Sequence, residues 1–177
     1  MRKLILASAV LAAATATPAL AQTSTGKVTI NGAVAPRCLF TTTDAVVNAG
    51  ELALPGTGTT AGRLDTSKLD GQARTLVGWC NGTASSVKVE AKPVVNTTVL
   101  TAPTGFDRVV NYTATAVANG VSASDGSVDP AVGASATVAV FTGDVVVTLS
   151  GSSTPTGGLL VAGTYLGETV ITLSGAN

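Results

Sequence analysis

Histidine is absent from these 177 residues, which removes Ser-His-Asp and Cys-His catalysis and any histidine-based metal site. Charge is scarce as well: Asp, Glu, Lys and Arg make up 11% of the chain, against about 25% in ordinary globular proteins. A surface with so few charges is poorly solvated and suits packing against other protein, including copies of itself. One Trp, two Tyr and three Phe are too few for the two aromatic girdles of an outer-membrane barrel. Helix signals, too, are nearly missing beyond the first twenty residues.

What is present starts with the compartment. Arg2 and Lys3 precede an apolar run over residues 4–16, and residues 18–21 end in the small-x-small pattern Ala19-Leu20-Ala21. That is the layout of a secretory signal peptide, with cleavage expected between Ala21 and Gln22. The run is shorter than the ~20 residues needed to span a bilayer. No second run of that kind follows, so no integral membrane segment is expected after cleavage. Residues 22–177 then suit one domain. Without Arg2 and Lys3 the basic residues number eight against ten acidic, so no phosphate-binding footprint and no nucleic-acid partner is expected.

Cys38 and Cys80 are the only cysteines. An even pair in a small exported domain reads as a disulfide. A structural metal site would need more ligands than this chain offers, so metal and cofactors are both expected to be none.

Thr, Val, Gly, Ala and Ser dominate the rest, in short apolar runs broken by Gly, Pro and Asn. This is strand-and-turn composition. The clearest strand is residues 86–92, with Val87, Val89 and Ala91 on one face and Lys88, Glu90 and Lys92 on the other. Further strands are expected at residues 27–34, 73–80, 107–117 and 163–174, and weaker ones at 45–54 and 94–101. Residues 136–141 and 144–150 flank Thr142-Gly143, which reads as a hairpin turn. Residues 55–58 and 151–158 read as loops. Eight or nine short strands without an internal repeat give an all-β sandwich or barrel.

Chemistry-bearing clusters are sparse. Asp125, Asp129 and Asp144 are the nearest acidic group, but Asp125-Gly126 reads first as a turn, and the spacing does not fit a calcium loop. Asn81, Asn96 and Asn111 begin glycosylation sequons that a Thr-rich chain produces by chance. The chain therefore reads as non-enzymatic.

The order of features resembles a family. A signal peptide leads into an alternating strand, then Cys38. The run Thr75-Leu-Val-Gly-Trp-Cys-Asn-Gly-Thr-Ala-Ser-Ser-Val-Lys-Val-Glu90 follows, and the chain closes with Ala162-Gly-Thr-Tyr-Leu-Gly-Glu-Thr-Val-Ile-Thr-Leu-Ser174. This is similar to the spore coat protein U-like domain, which includes pilins of the archaic chaperone–usher pathway. The resemblance implies an immunoglobulin-like, pilin-type β-sandwich that is incomplete, lacking its last strand. It also implies assembly by donor-strand complementation into a surface fimbrium that supports adhesion or biofilm formation. The implied partners are copies of this chain or related pilins, a periplasmic chaperone and an outer-membrane usher. Residues 25–34 would be the donor strand, inserting Val28, Ile30 and Val34, with Gly32 on the same face over a shallow point of the acceptor groove. Two features depart from that pattern: only residues 22–26 lie outside the alternation, and the C-terminus is Ser174-Gly-Ala-Asn177. These leave open a complete, self-contained sandwich acting as a secreted adhesive or carbohydrate-binding module, with Trp79 and Tyr112 as its only candidate platforms.

Overall fold

The computed structural model describes residues 22–177; the expected signal peptide, residues 1–21, lies outside them. The chain divides into two units, Met1–Ala33 and Val34–Asn177. In the first, residues 22–33 form no strand, although Lys27 to Val34 alternates as a strand should. Val28 and Ile30 are 88% and 91% exposed, and Val34, which opens the second unit, is 82% exposed.

The second unit is all-β. Ten strands follow one another: β1 (Cys38–Thr42), β2 (Ala73–Cys80), β3 (Ser85–Asn96), β4 (Phe106–Asp107), β5 (Val109–Ala118), β6 (Val121–Gly126), β7 (Ala136–Val138), β8 (Phe141–Ser153), β9 (Leu159–Leu160) and β10 (Tyr165–Ser174). One 3-10 turn, Thr66–Lys68, is capped by the Asp65 side chain. The main hydrogen-bonded path runs β1-β2-β8-β5-β3-β10, with β6 added to β5 and β7 to β3. All of these pairings are antiparallel. Strand β5 changes partners along its length. Val109 and Val110 pair with β3, while Thr113 to Ala118 lie between β8 and β6. The path thereby folds back on itself around a shared interior.

That interior is built from small side chains. Val87, Val89 and Ala91 of β3 face Tyr112, Ala114, Ala116 and Ala118 of β5, joined by Val138 and Val145. Valine is the largest apolar side chain that is fully buried. The larger Phe40, Leu76, Leu149 and Ile171 pack against this cluster while only partly covered. A second cluster gathers Leu52, Leu69 and Val110.

Several expectations change. Residues 136–141 and 144–150 do not make a hairpin: β7 pairs with β3, whereas β8 pairs with β2 and β5. Thr142 and Gly143 lie inside β8, opposite Trp79 and Gly78. The hairpin of this region is β5–β6, turned by Asn119 (φ 49°) and Gly120 (φ 77°). Asn-Gly favours the type I′ turn, which needs positive φ at both positions. Asp125-Gly126 is no turn but the end of β6, with Asp125 opposite Ala114. The weak strand at 45–54 reduces to a single bridge, Ala53 to Leu64. Residues 94–96 prolong β3, and 97–101 are loop. Residues 151–153 belong to β8 rather than to a loop.

Pro93 inside β3 has a visible accommodation. Glu168 pairs with Lys92 and Leu166 with Val95, so Pro93 and Val94 oppose the single residue Gly167. A bulge of this kind lets a strand tolerate a residue with no N–H.

Candidate functional site

The two flanks of β3 are treated differently. On one, β7 covers Ser85 to Val87 and β5 covers Val94 and Val95. Between them the buried Asp125 carboxylate accepts the Ala91 N–H at 2.8 Å. Gly133 also threads through so closely that a side chain there would meet the Ser124 carbonyl at 2.4 Å. This flank is sealed by protein groups. On the other flank lies β10, and among the described residues β10 pairs with β3 alone. Its outer edge therefore presents backbone donors and acceptors to no strand.

Beside that edge runs a groove of about 1120 Å³. Residues 165–171 form one wall and 43–53 the other. Its floor is apolar, with Leu76, Val94, Val147 and Leu149 among the side chains that reach it. The volume exceeds the roughly 300–1,000 Å³ of ordinary small-molecule pockets. Seven successive residues of strand, 165–171, line it, about 23 Å of chain at 3.3 Å per residue.

Tyr112 stands in the floor. Its ring is buried, and its hydroxyl reaches the Lys92 carbonyl (2.8 Å), the Glu168 carbonyl (2.9 Å) and the Thr169 hydroxyl (2.8 Å). Lys92 and Glu168 are the residues beside the Pro93 bulge, so Tyr112 serves carbonyls on both strands where the ladder is interrupted. Burial, above all, pushes its phenol pKa up, so the hydroxyl stays protonated as a donor. On the rim, Glu168 bonds the Lys92 ammonium at 2.9 Å, which raises the lysine pKa.

Below the slot, Asp107 and Asn96 fix the loops that end it. The Asp107 carboxylate accepts from the Gly158 N–H (2.7 Å) and the Thr156 hydroxyl (2.9 Å). Burial alone would raise its pKa; the bonds from the Thr156 hydroxyl, the Gly158 amide, the Thr154 hydroxyl and the Thr156 amide outweigh that and hold it low. Buried Asn96 donates to the Val161 carbonyl at 3.0 Å and accepts from the Thr98 and Val99 amides at 2.9 Å. Gly163 passes so near that any side chain would come within 2.7 Å of the Asn96 amide.

Cys38 and Cys80 are joined, 42 residues apart in sequence. They oppose each other across β1 and β2 with Cα atoms 4.2 Å apart, the close spacing of a non-hydrogen-bonded antiparallel pair. Asn81 secures the chain just before Cys38. Its N–H donates to the Arg37 carbonyl (3.0 Å), its side-chain oxygen accepts the Arg37 N–H, and its amide donates to the Ala35 carbonyl (3.2 Å). Everything upstream of Ala35 thus departs from a fixed root. Val28, Ile30, Gly32 and Val34 lie upstream of it, on a stretch whose apolar side chains are almost wholly exposed.

The acidic group is not assembled. Asp125 is committed to Ala91, Asp129 accepts the Ala131 N–H, and Asp144 lies within β8 opposite Val77. Among the described residues no three His, Cys, Asp or Glu side chains converge as a metal site would require, and no helix is long and apolar enough to cross a membrane. Trp79 is half-buried on the face opposite Cys80, across from Leu39. The sequence points to the disulfide and the alternating segment, and the resemblance implies a groove, but the residues that line the groove come from positions more than a hundred apart and carry no local signal. In comparisons with known proteins, no family model, no curated protein and no solved structure matches this chain.

Proposed function

We propose that this chain is a structural subunit of a surface pilus, assembled by donor-strand complementation. After loss of residues 1–21 in export, a periplasmic chaperone would hold the subunit and an outer-membrane usher would pass it to the cell surface. The sandwich is read as immunoglobulin-like and incomplete, with the groove beside β10 as the place of the missing strand. Residues 25–34 of a neighbouring copy, or of a related pilin, would fill that place. Ladder bonds to the β10 edge supply affinity, and Val28, Ile30 and Val34 enter the apolar floor, with Gly32 between them. The role is structural, with no catalysis, metal or cofactor.

The observation that carries this reading is a pair of complementary features: an exposed alternating segment on a fixed root, and an apolar groove beside an unpaired strand edge. Burying Val28, Ile30 and Val34 removes three exposed aliphatic side chains from water, at about 1.5–3 kcal/mol each. Such a fibre resists dissociation without any covalent link between subunits.

Material sheared from cells and run on SDS gels tests it. A ladder in unboiled samples that collapses to a monomer on boiling is the expected result. Ile30→Asp places a carboxylate in the apolar slot and is expected to abolish the ladder while leaving exported monomer. A single monomer band from the wild-type chain in both lanes would overturn the proposal. Trp79 on an outer face favours one second reading, a self-contained adhesive or carbohydrate-binding module. A saccharide that shifts Trp79 fluorescence in a strictly monomeric protein would establish it.

A further inference from the structure

Residues 22–35 carry one charged side chain, Lys27, and no acidic one. The walls of the groove carry the opposite balance: Asp44, Glu51 and Glu168 against Arg74 alone. Arg74 is already committed, its Nε donating to the Val46 carbonyl at 2.6 Å and Nη1 to the Ala73 carbonyl at 2.7 Å. Glu168 is paired with Lys92. Among the described residues the exposed acids Asp44 and Glu51 face no cation, Asp44 accepting the Thr43 hydroxyl and Glu51 the Ala53 N–H. Given the strand-accepting groove proposed above, we infer that Lys27 is a specificity residue of the inserted segment and that its partner is Asp44 of the accepting copy.

The direction of insertion decides between the two acids. One end of the slot is shut where β10 runs out. A side chain on Gly175 would come within 2.8 Å of the Arg37 nitrogen, and Ala84 donates to the Ala176 carbonyl at 3.1 Å. Only Ala35, Pro36 and Arg37 separate Val34 from Cys38, where the donor's own domain begins. A folded domain on so short a tether must emerge at the other end, beside Tyr165, and the free tip, residues 22–26, lies toward the shut end. The donor then runs antiparallel to β10, the slightly more stable pairing. This sets Lys27 near Ile171. At that level the chain enters the wall of residues 43–53: Phe40 pairs with Gly78, Thr42 with Val77, and Leu173 lies against Gly78. Asp44 follows two residues later. Glu51 is at the far end, next to Leu52, whose cluster includes Tyr165.

The pair acts at the solvent-exposed rim, so its contribution is modest and sensitive to salt. Its value lies in discrimination. A strand bearing an acid in place of Lys27 would meet the like charge of Asp44, whereas the chain's own segment meets an opposite one.

A fluorescein-labelled peptide of residues 22–35 measures this by anisotropy against the chain from Gln22 onward. That chain carries Ile30→Asp, so that its own segment leaves the slot free. At about 20 mM salt, a Lys27→Glu peptide is expected to bind about fivefold more weakly than wild type, the ratio shrinking toward one at high salt. Asp44→Lys in the chain should restore the Lys27→Glu peptide and weaken the wild-type one. Equal binding of both peptides at low salt would overturn the role of Lys27 and leave the groove reading standing. Restoration by Glu51→Lys instead of Asp44→Lys would overturn the pairing and its direction. No binding of the wild-type peptide would sink the groove reading itself.

Discussion

Removing the disulfide by Cys38→Ala with Cys80→Ala should cost this domain much of its stability. Strand β1 has five residues and a single neighbour, β2, with an irregularity in the ladder between Phe40 and Thr42. The bond between Cys38 and Cys80 therefore holds an element that the ladder alone holds poorly. In the chain-entropy treatment, closing a loop with a separation of 42 residues restricts the unfolded state by about 4 kcal/mol at room temperature. Set against a total of roughly 5–15 kcal/mol for a domain, that is a large share. Urea unfolding of the double variant beside wild type reads the difference, and hydrogen exchange locates it. The midpoint should fall strongly, and the amides of β1 should lose protection well before those of β3 and β5. A loss below about 1 kcal/mol, or β1 amides protected as well as those of β3, would refute the argument that the crosslink secures this edge.

Two further outcomes follow from the buried polar groups. Tyr112→Phe keeps the ring but leaves the carbonyls beside the Pro93 bulge without their donor. A loss of about 2 kcal/mol in urea unfolding is expected, at the scale of unsatisfied buried acceptors. Asp107 makes acid stability depend on one carboxylate. Its folded pKa lies below the ordinary 3.8, so its contribution is fully present above that value and is lost as pH falls through the folded pKa. Asp107→Asn should flatten the acid limb of a stability–pH curve below about pH 4, and an unchanged limb would contradict this role.

Where the sequence was a reliable guide, period-two alternation and burial coincided. Val87, Val89 and Ala91 alternate with charged residues and are buried as the pattern requires. Strand β2 matches residues 73–80, paired along one edge with β1 and along its whole length with β8. Alternation says nothing about pairing, however. Residues 27–34 also alternate with period two, yet no strand forms there in a single chain. The Thr142-Gly143 error has the same root: Gly143, with φ 138°, looks like a turn locally but lies in a long strand held from both sides by β2 and β5. Asn119-Gly120, with both residues at positive φ, is the stronger turn signal. Asp125-Gly126 reads locally as a turn, whereas the buried hydrogen bond from Ala91 to Asp125 is a contact between separate strands, which no local pattern encodes. The lining of the groove is equally illegible, since an opening is defined by which edges fail to meet.

The small-residue interior has a thermodynamic consequence. With valine as the largest fully buried apolar side chain, and with Phe40, Leu76, Leu149 and Ile171 left partly wet along the slot, much of the domain's aliphatic area is held in reserve. Anything that covers the slot binds the native state and not the unfolded chain. By mass action it adds RT ln(1 + [L]/Kd) to the stability, about 2.7 kcal/mol at a hundredfold excess over Kd. The melting temperature of this protein is then a function of concentration and company, rather than a constant of the chain.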